Sequence, residues 1–215
     1  MEINVNGQQF LPQRIFCIGR NYAEHIAELQ NERPSAPVIF MKPASSLLAE
    51  GQVIPRPTHG RDLQFEAELV VLIGQSGANV APEAALSLVA GVSLGLDLTL
   101  RDVQSRLKAK GLPWEVAKAF DGSAPVGAFV PPTAVGVLDD FRVQCLVNGE
   151  VRQEGHTAQM LFPVAELITA VSRVWALLPG DLIYTGTPAG VGPLNPGDEV
   201  VVTAVGLGSF GWVCG

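Results

Sequence analysis

The sequence predicts an α+β, mostly β fold, and three observations carry that prediction. Short β-prone runs stopped by turn residues recur along the chain, one Asn-Gly pair is set between two such runs, and helical periodicity is confined to three stretches. In chain order the first runs are 14–18, ending at Gly19, then 37–41, then 68–73, ending at Gly74. Asn148-Gly149 separates 141–147 from 150–153, and because both residues tolerate positive φ it predicts a type I′ hairpin. Further strands are predicted over 181–184, 199–205 and 209–213, divided by Gly and Pro. Helices are predicted over 22–30, where Tyr22, Ile26 and Leu29 share a face, over 102–110, where Val103 and Leu107 do, and over 163–174, which opens with Pro163. Patterning alone leaves roll, sandwich and barrel equally open.

Composition narrows the function. The 215 residues are 47% hydrophobic and 16% charged, so the chain buries a core of its own. With Lys+Arg 14 against Asp+Glu 21 the net charge is −7, and no basic stripe exists for a phosphate backbone, which argues against nucleic acid as a partner. The longest aliphatic run, Leu69-Val70-Val71-Leu72-Ile73, is far below the ~20 residues of a membrane span, so no membrane partner is expected. The first residues lack a basic region followed by an apolar one, which makes the cytoplasm the expected compartment. Cys17, Cys145 and Cys214 are odd in number and show no ligand spacing, so reduced thiols are expected. Without repeats or linkers, one domain over 1–215 is expected, with about 1–35 as an N-terminal segment.

Three carboxylates stand out. Glu66 and Glu68 are two apart, so on a strand they point to one face, and that strand runs into a continuous apolar stretch. Asp97 follows Val92-Ser93-Leu94-Gly95-Leu96 and ends the polar face of a predicted strand. Three carboxylates leaving apolar strands suit a hard cation, Mg²⁺, Mn²⁺ or Ca²⁺, better than zinc. Water-facing residues on an edge strand would give the same spacing. His25 has Glu28 three positions on along its helix, where a carboxylate fixes the imidazole tautomer and raises its basicity; a surface ion pair would look alike. Lys42, Arg20, Arg101, Gln104 and Lys118 lie near the same segments and supply donors for a carboxylate-bearing substrate. Arg33, in the short segment 30–37, offers a cation to a distal carboxylate; an exposed charge on a mobile lid would look alike. Thr185-Gly186-Thr187-Pro188-Ala189-Gly190-Val191-Gly192 offers backbone N–H groups to an anion but lacks the ending of a P-loop.

Taken in order, these segments resemble the fumarylacetoacetate hydrolase family in its short acylpyruvate hydrolase and oxaloacetate decarboxylase form. The resemblance runs through Gly19-Arg20-Asn21-Tyr22 with His25 and Glu28, Met41-Lys42-Pro43, Phe65-Glu66-Ala67-Glu68-Leu69, and Asp97 through Gln104. It continues through Lys118-Ala119-Phe120-Asp121, Val147 through Gln153, and Pro179 through Pro188. It implies a mixed β-sandwich roll, a homodimer, and Mg²⁺ or Mn²⁺ on Glu66, Glu68 and Asp97. It also implies His25 and Glu28 as a dyad on a lid helix, Lys118 as a third catalytic group, and Arg20, Lys42, Arg101, Gln104 and Thr187 around a small keto-acid substrate. Leu100 and Ala119 depart from common family residues, and neither removes a functional group. The implied activity is metal-dependent C–C hydrolysis of an acylpyruvate such as fumarylpyruvate. Its rivals are oxaloacetate decarboxylation, isomerisation of 2-hydroxyhepta-2,4-diene-1,7-dioate, and a non-enzymatic cation-stabilised β-domain that binds a partner.

Overall fold

The computed structural model describes residues 1–215 and is mostly β, as the sequence predicts. A mixed seven-stranded sheet runs in the order Val38–Pro43, Arg14–Gly19, Leu182–Tyr184, Ala67–Ile73, Val89–Leu96, Ala124–Val126, Leu47–Ala49. A five-stranded sheet runs Glu150–His156, Arg142–Val147, Glu199–Ala204, Gly208–Cys214, Val53–Ile54. Each contains parallel neighbours, Arg14–Gly19 with Leu182–Tyr184 in the first and Val53–Ile54 with Gly208–Cys214 in the second, so hairpins alone do not build it. A three-stranded sheet, Thr99–Leu100, Leu63–Phe65, Gly192–Pro193, and a ribbon of Ile3–Val5 with Gln8–Phe10 complete the set.

Strand Ala67–Ile73 is buried at every position, as its unbroken apolar run requires. Its side chains alternate between two cores. Leu69, Val71 and Ile73 join the larger one with Val143, Cys145, Val200 and Val202 of the five-stranded sheet and Leu167, Ile168 and Val171 of helix Val164–Val174. Val70 and Leu72 join a smaller one with Ile15, Cys17, Leu182 and Tyr184. The predicted hairpin forms, with Asn148 at φ 52° and Gly149 at φ 80°. The three predicted helices appear as Ala23–Glu28, Arg101–Ala109 and Val164–Val174. All three cysteines are free and buried, and no helix is long and apolar enough to cross a membrane.

A corner between sheets positions the site. The antiparallel pairing of Ala67–Ile73 with Val89–Leu96 passes through Glu66 and Asp97 into the pairing of Leu63–Phe65 with Thr99–Leu100, which belong to a different sheet. At the bend, the Asp97 N–H donates to the Glu66 carbonyl oxygen at 2.8 Å. Two expectations are corrected here. Glu66 is not on one strand with Glu68 but in the break between two, and Asp97 does not end a half-polar strand, because Val92–Leu96 is buried on both faces, Ser93 and Gly95 included.

Candidate functional site

The corner gathers Glu66, Glu68 and Asp97 so that one oxygen from each lies within 4.8 Å of the others. They are 5%, 2% and 1% exposed, which removes the water-facing alternative. Three cations surround them. Lys118 Nζ donates to Glu66 Oε2 and Asp97 Oδ2, both at 2.8 Å, and Arg101 Nη2 donates to Glu66 Oε1. Lys42 Nζ lies 2.7 Å from Asp97 Oδ1 and donates to the carbonyl oxygens of Ser123 at 2.6 Å and Leu98 at 3.3 Å. Glu68 lacks a cation of its own; its Oε2 accepts from the Gly186 N–H at 2.7 Å.

The pKa directions follow from this arrangement. Burial raises that of Glu66, but Lys118 and Arg101 outweigh it and hold the carboxyl below the ordinary range. Burial pushes Glu68 up, and the Asp97 and Glu66 charges add to it. Burial lowers Lys118, yet Asp97 and Glu66 bring it above the usual value. An all-oxygen donor set fits a hard divalent cation. Asp97 Oδ1 is buried and meets the Lys42 ammonium at 2.7 Å, so that oxygen is already charge-paired and the fit rests on the donor set.

Above the carboxylates, helix Ala23–Glu28 forms a roof. Six residues are too few to hold a helix unaided, so its position comes from tertiary contacts. Asn21 anchors its start: its Nδ2 donates to the carbonyl oxygens of Thr185 at 2.8 Å and Phe162 at 3.1 Å, and its Oδ1 accepts from Phe162 N at 2.9 Å. Buried His25 has its Nδ1 3.1 Å from Glu28 Oε2, and Glu28 Oε1 accepts from the Gly190 N–H at 2.9 Å. An ionised Glu28 accepts, so Nδ1 carries the proton and Nε2 is left with its lone pair.

His25, Glu66, Glu68, Arg20, Arg101, Gln104, Lys118 and Thr187 all border one cavity, whose apolar wall includes Phe40 and Trp114. Lys42 reaches Asp97 from outside it, and exposed Arg33 does not border it. Arg101 is held by three partners, with Nε on Gln64 Oε1 at 2.9 Å and Nη1 on Gln104 Oε1 at 2.7 Å besides Glu66, so it orients Gln104 and leaves that amide nitrogen free. Thr187 Oγ1 donates to Ala67 O at 2.9 Å and accepts from Gln153 Nε2 at 2.8 Å. Gln153, to which sequence reasoning gave no role, is 1% exposed and accepts from Ala67 N at 3.0 Å, tying the hairpin to the carboxylate strand. Its alternation on a strand was the available signal, since a buried amide needs partners.

The glycine-rich segment 185–192 does present N–H groups to anions, and the anions are this chain's own Glu68 and Glu28. Both donors need glycine. Gly186 has φ 100° and a Cβ there would meet the Asn21 Cβ at 2.7 Å; Gly190 has φ 97° and a Cβ would meet Arg152 O at 2.1 Å.

A mostly β fold whose sheet corner gathers three carboxylates beneath a histidine-bearing helix defines a class of enzymes with a divalent-cation site. Residues 14–211 match the family model for the fumarylacetoacetate (FAA) hydrolase C-terminal region, and the chain belongs to that family. It is 45% identical over 188 residues to the mitochondrial oxaloacetate tautomerase FAHD1 of Bos taurus, covering 87% of this chain and 85% of that protein. With the mitochondrial oxaloacetate decarboxylase of Dictyostelium discoideum it shares 43% identity, over 91% of this chain and 90% of that one. Among solved structures, fumarylpyruvate hydrolase from Pseudomonas aeruginosa in complex with Mn²⁺ and pyruvate superposes with a TM-score of 0.95 at 36% identity, covering 100% of this chain and 95% of the other. That neighbour's Mn²⁺ and the acidic triad here together support a divalent metal. Because the two curated relatives are mitochondrial by name, membership of the family does not imply the cytoplasm.

Proposed function

We propose that this protein is a divalent-metal-dependent hydrolase that cleaves the C3–C4 bond of acylpyruvates, releasing pyruvate and a carboxylic acid. One observation carries the reading: His25, paired with Glu28, borders the same cavity as Glu66 and Glu68, two members of the carboxylate cluster that Asp97 completes. Mg²⁺ or Mn²⁺ held by those three carboxylates supplies Lewis-acid stabilisation of enolate charge. His25 Nε2, its tautomer set by Glu28, takes a proton from water as the water oxygen adds to the C4 carbonyl. The C3–C4 bond then breaks, its electron pair passes to the pyruvate enolate, and the proton taken up by His25 is returned to C3, which gives pyruvate and restores the imidazole. Lys118 has one N–H beyond those spent on Glu66 and Asp97, and offers it to the enolate. The free amide of Gln104 holds the carboxylate end of the substrate beside Thr187, whose own hydroxyl is taken up by Ala67 O and Gln153, while Lys42 and Arg101 position Asp97 and Glu66.

A second reading, decarboxylation of oxaloacetate, is favoured by the relative named an oxaloacetate decarboxylase, and the relative named an oxaloacetate tautomerase shares that substrate. Decarboxylation yields the same enolate and needs no attacking water, so His25 is dispensable in it. Pyruvate release from acetylpyruvate, fumarylpyruvate and oxaloacetate, with and without Mg²⁺ or Mn²⁺, separates the two. Metal-dependent release from acylpyruvates that is lost in His25→Ala supports hydrolysis. Turnover of oxaloacetate alone, surviving in His25→Ala, supports the second reading, and release without metal rejects both. The homodimer belongs to the same proposal, and light scattering reads it as twice the chain mass.

A further inference from the structure

Arg101, Gln104, Ser105 and Lys108 recur at helical spacing along Arg101–Ala109, and all four border the cavity. The cations at its floor are paired with its carboxylates: Lys118 with Glu66 and Asp97, and Arg101 with Glu66 besides Gln64 and Gln104. Two others are not. Arg20, at the end of strand Arg14–Gly19 with φ 61°, is half-buried and makes no side-chain hydrogen bond or ion pair. Lys108, exposed at the mouth, gives one N–H to Asn31 Oδ1 at 2.6 Å and keeps two. The two share an electrostatic neighbourhood, because burial and then Arg20 and Arg101 lower the Lys108 pKa. The acidic residues bordering the cavity, Glu66 and Glu68, are both at the floor, so nothing at the mouth neutralises the pair.

We propose that Arg20 and Lys108 form an anion subsite at the cavity mouth that binds a carboxylate at the far end of the substrate. The enzyme then selects 2-oxo acids that end in a second carboxylate over those that end in a methyl group. The assignment rests on the proposed function for one point, that the 2-oxo acid end lies on the carboxylate floor. Arg33, the distal-carboxylate candidate from sequence, is exposed and away from the cavity wall, so the role passes to these two residues.

Binding of two inert probes tests the subsite without turnover: calorimetry on the Mn²⁺-loaded protein with 2-oxoadipate and 2-oxohexanoate, which have equal chain length and differ in the terminal carboxylate. The wild type is expected to bind 2-oxoadipate about tenfold more tightly, the scale of one charge-assisted hydrogen bond. Lys108→Met and Arg20→Met each shrink that ratio, and the double variant brings it to within about twofold by weakening 2-oxoadipate alone. Circular dichroism of each variant checks that the fold is kept. Equal wild-type affinities overturn the subsite, as does an equal loss for both probes in the double variant, which places the pair on the shared end. Failure of the parent reading shows separately, as no pyruvate release from any acylpyruvate while the probe ratio stands.

Discussion

The floor and the roof of the cavity are built in opposite ways. Glu66, Glu68 and Asp97 are fixed by a sheet corner, nearly inaccessible to water, and cross-braced by Lys42, Lys118 and Arg101. The roof is a six-residue helix whose functional end is tied down by single hydrogen bonds, Glu28 to Gly190 and Asn31 to Lys108. A floor that must hold several charges in one place needs the rigidity of paired strands, because each unpaired buried charge is costly. A roof that admits substrate needs the opposite, contacts that open at small cost. Substitutions in the floor therefore act on folding and metal binding together, and substitutions in the roof act on chemistry alone.

The sharpest way to break this contrast is Lys118→Met against His25→Ala. Lys118→Met leaves Glu66 and Asp97 without their shared cation and is expected to lower the unfolding free energy of the metal-free protein by about 3–5 kcal/mol, the scale for stripping one partner from a buried pair. Urea denaturation reads it, and added Mg²⁺ should recover part of the loss. His25→Ala is expected to reduce acylpyruvate hydrolysis by about 10²–10⁴, the usual contribution of a general base, with urea midpoint and Mn²⁺ affinity near wild type. If His25→Ala instead unfolds the protein, the roof is structural and the contrast is wrong.

Gly190→Ala lies between the two regions. A Cβ would stand 2.1 Å from Arg152 O at a φ of 97°, so the loop must move and withdraw the N–H that holds Glu28. The expected cost is about 1–3 kcal/mol of stability. Because His25 then loses its orientation, kcat should fall while KM changes little, and a KM effect alone would place the damage in substrate binding.

How much of this was legible depended on how local each feature is. The Glu66–Glu68 spacing beside an apolar run and the His25–Glu28 interval are local, and both pairs come together as the spacing implies, although Glu66 lies in a break and not on the strand of Glu68. The break at Glu66 is not local: it exists because Leu63–Phe65 pairs with Thr99–Leu100 and Gly192–Pro193, strands too short to show a period. The engagement of Arg101 by three partners and the approach of Lys42 from outside the cavity are likewise products of the chain crossing between sheets. Both residues looked like substrate ligands in sequence because a cation near a carboxylate motif serves substrate and carboxylate equally well. The short strands Leu47–Ala49, Val53–Ile54 and Ala124–Val126 gave no signal for the same reason as Leu63–Phe65, and they fill sheet edges and interior positions that long-range pairing selects.

The smallest expected effect concerns the outer margin of the floor. Asp102, in the first turn of helix Arg101–Ala109, accepts from the backbone N–H groups of Arg61 and Asp62, joining the helix to the start of Leu63–Phe65. Burial raises its pKa, but those N–H groups, Val103 N–H and Arg106 together outweigh it and leave the carboxyl below its ordinary value. A carboxylate whose folded-state pKa is depressed contributes stability that is complete above its unfolded value and disappears as pH falls through the folded one. Asp102→Asn keeps one acceptor oxygen and loses the charge. The wild type should therefore exceed it by less than about 1 kcal/mol at pH 7, because the group is partly solvated. That difference should hold down to about pH 4 and vanish below it. Guanidinium denaturation of both proteins from pH 7 to pH 3 reads the difference, and one that grows on acidification would mean that the N–H groups prefer the neutral acid and that the floor ends short of this helix.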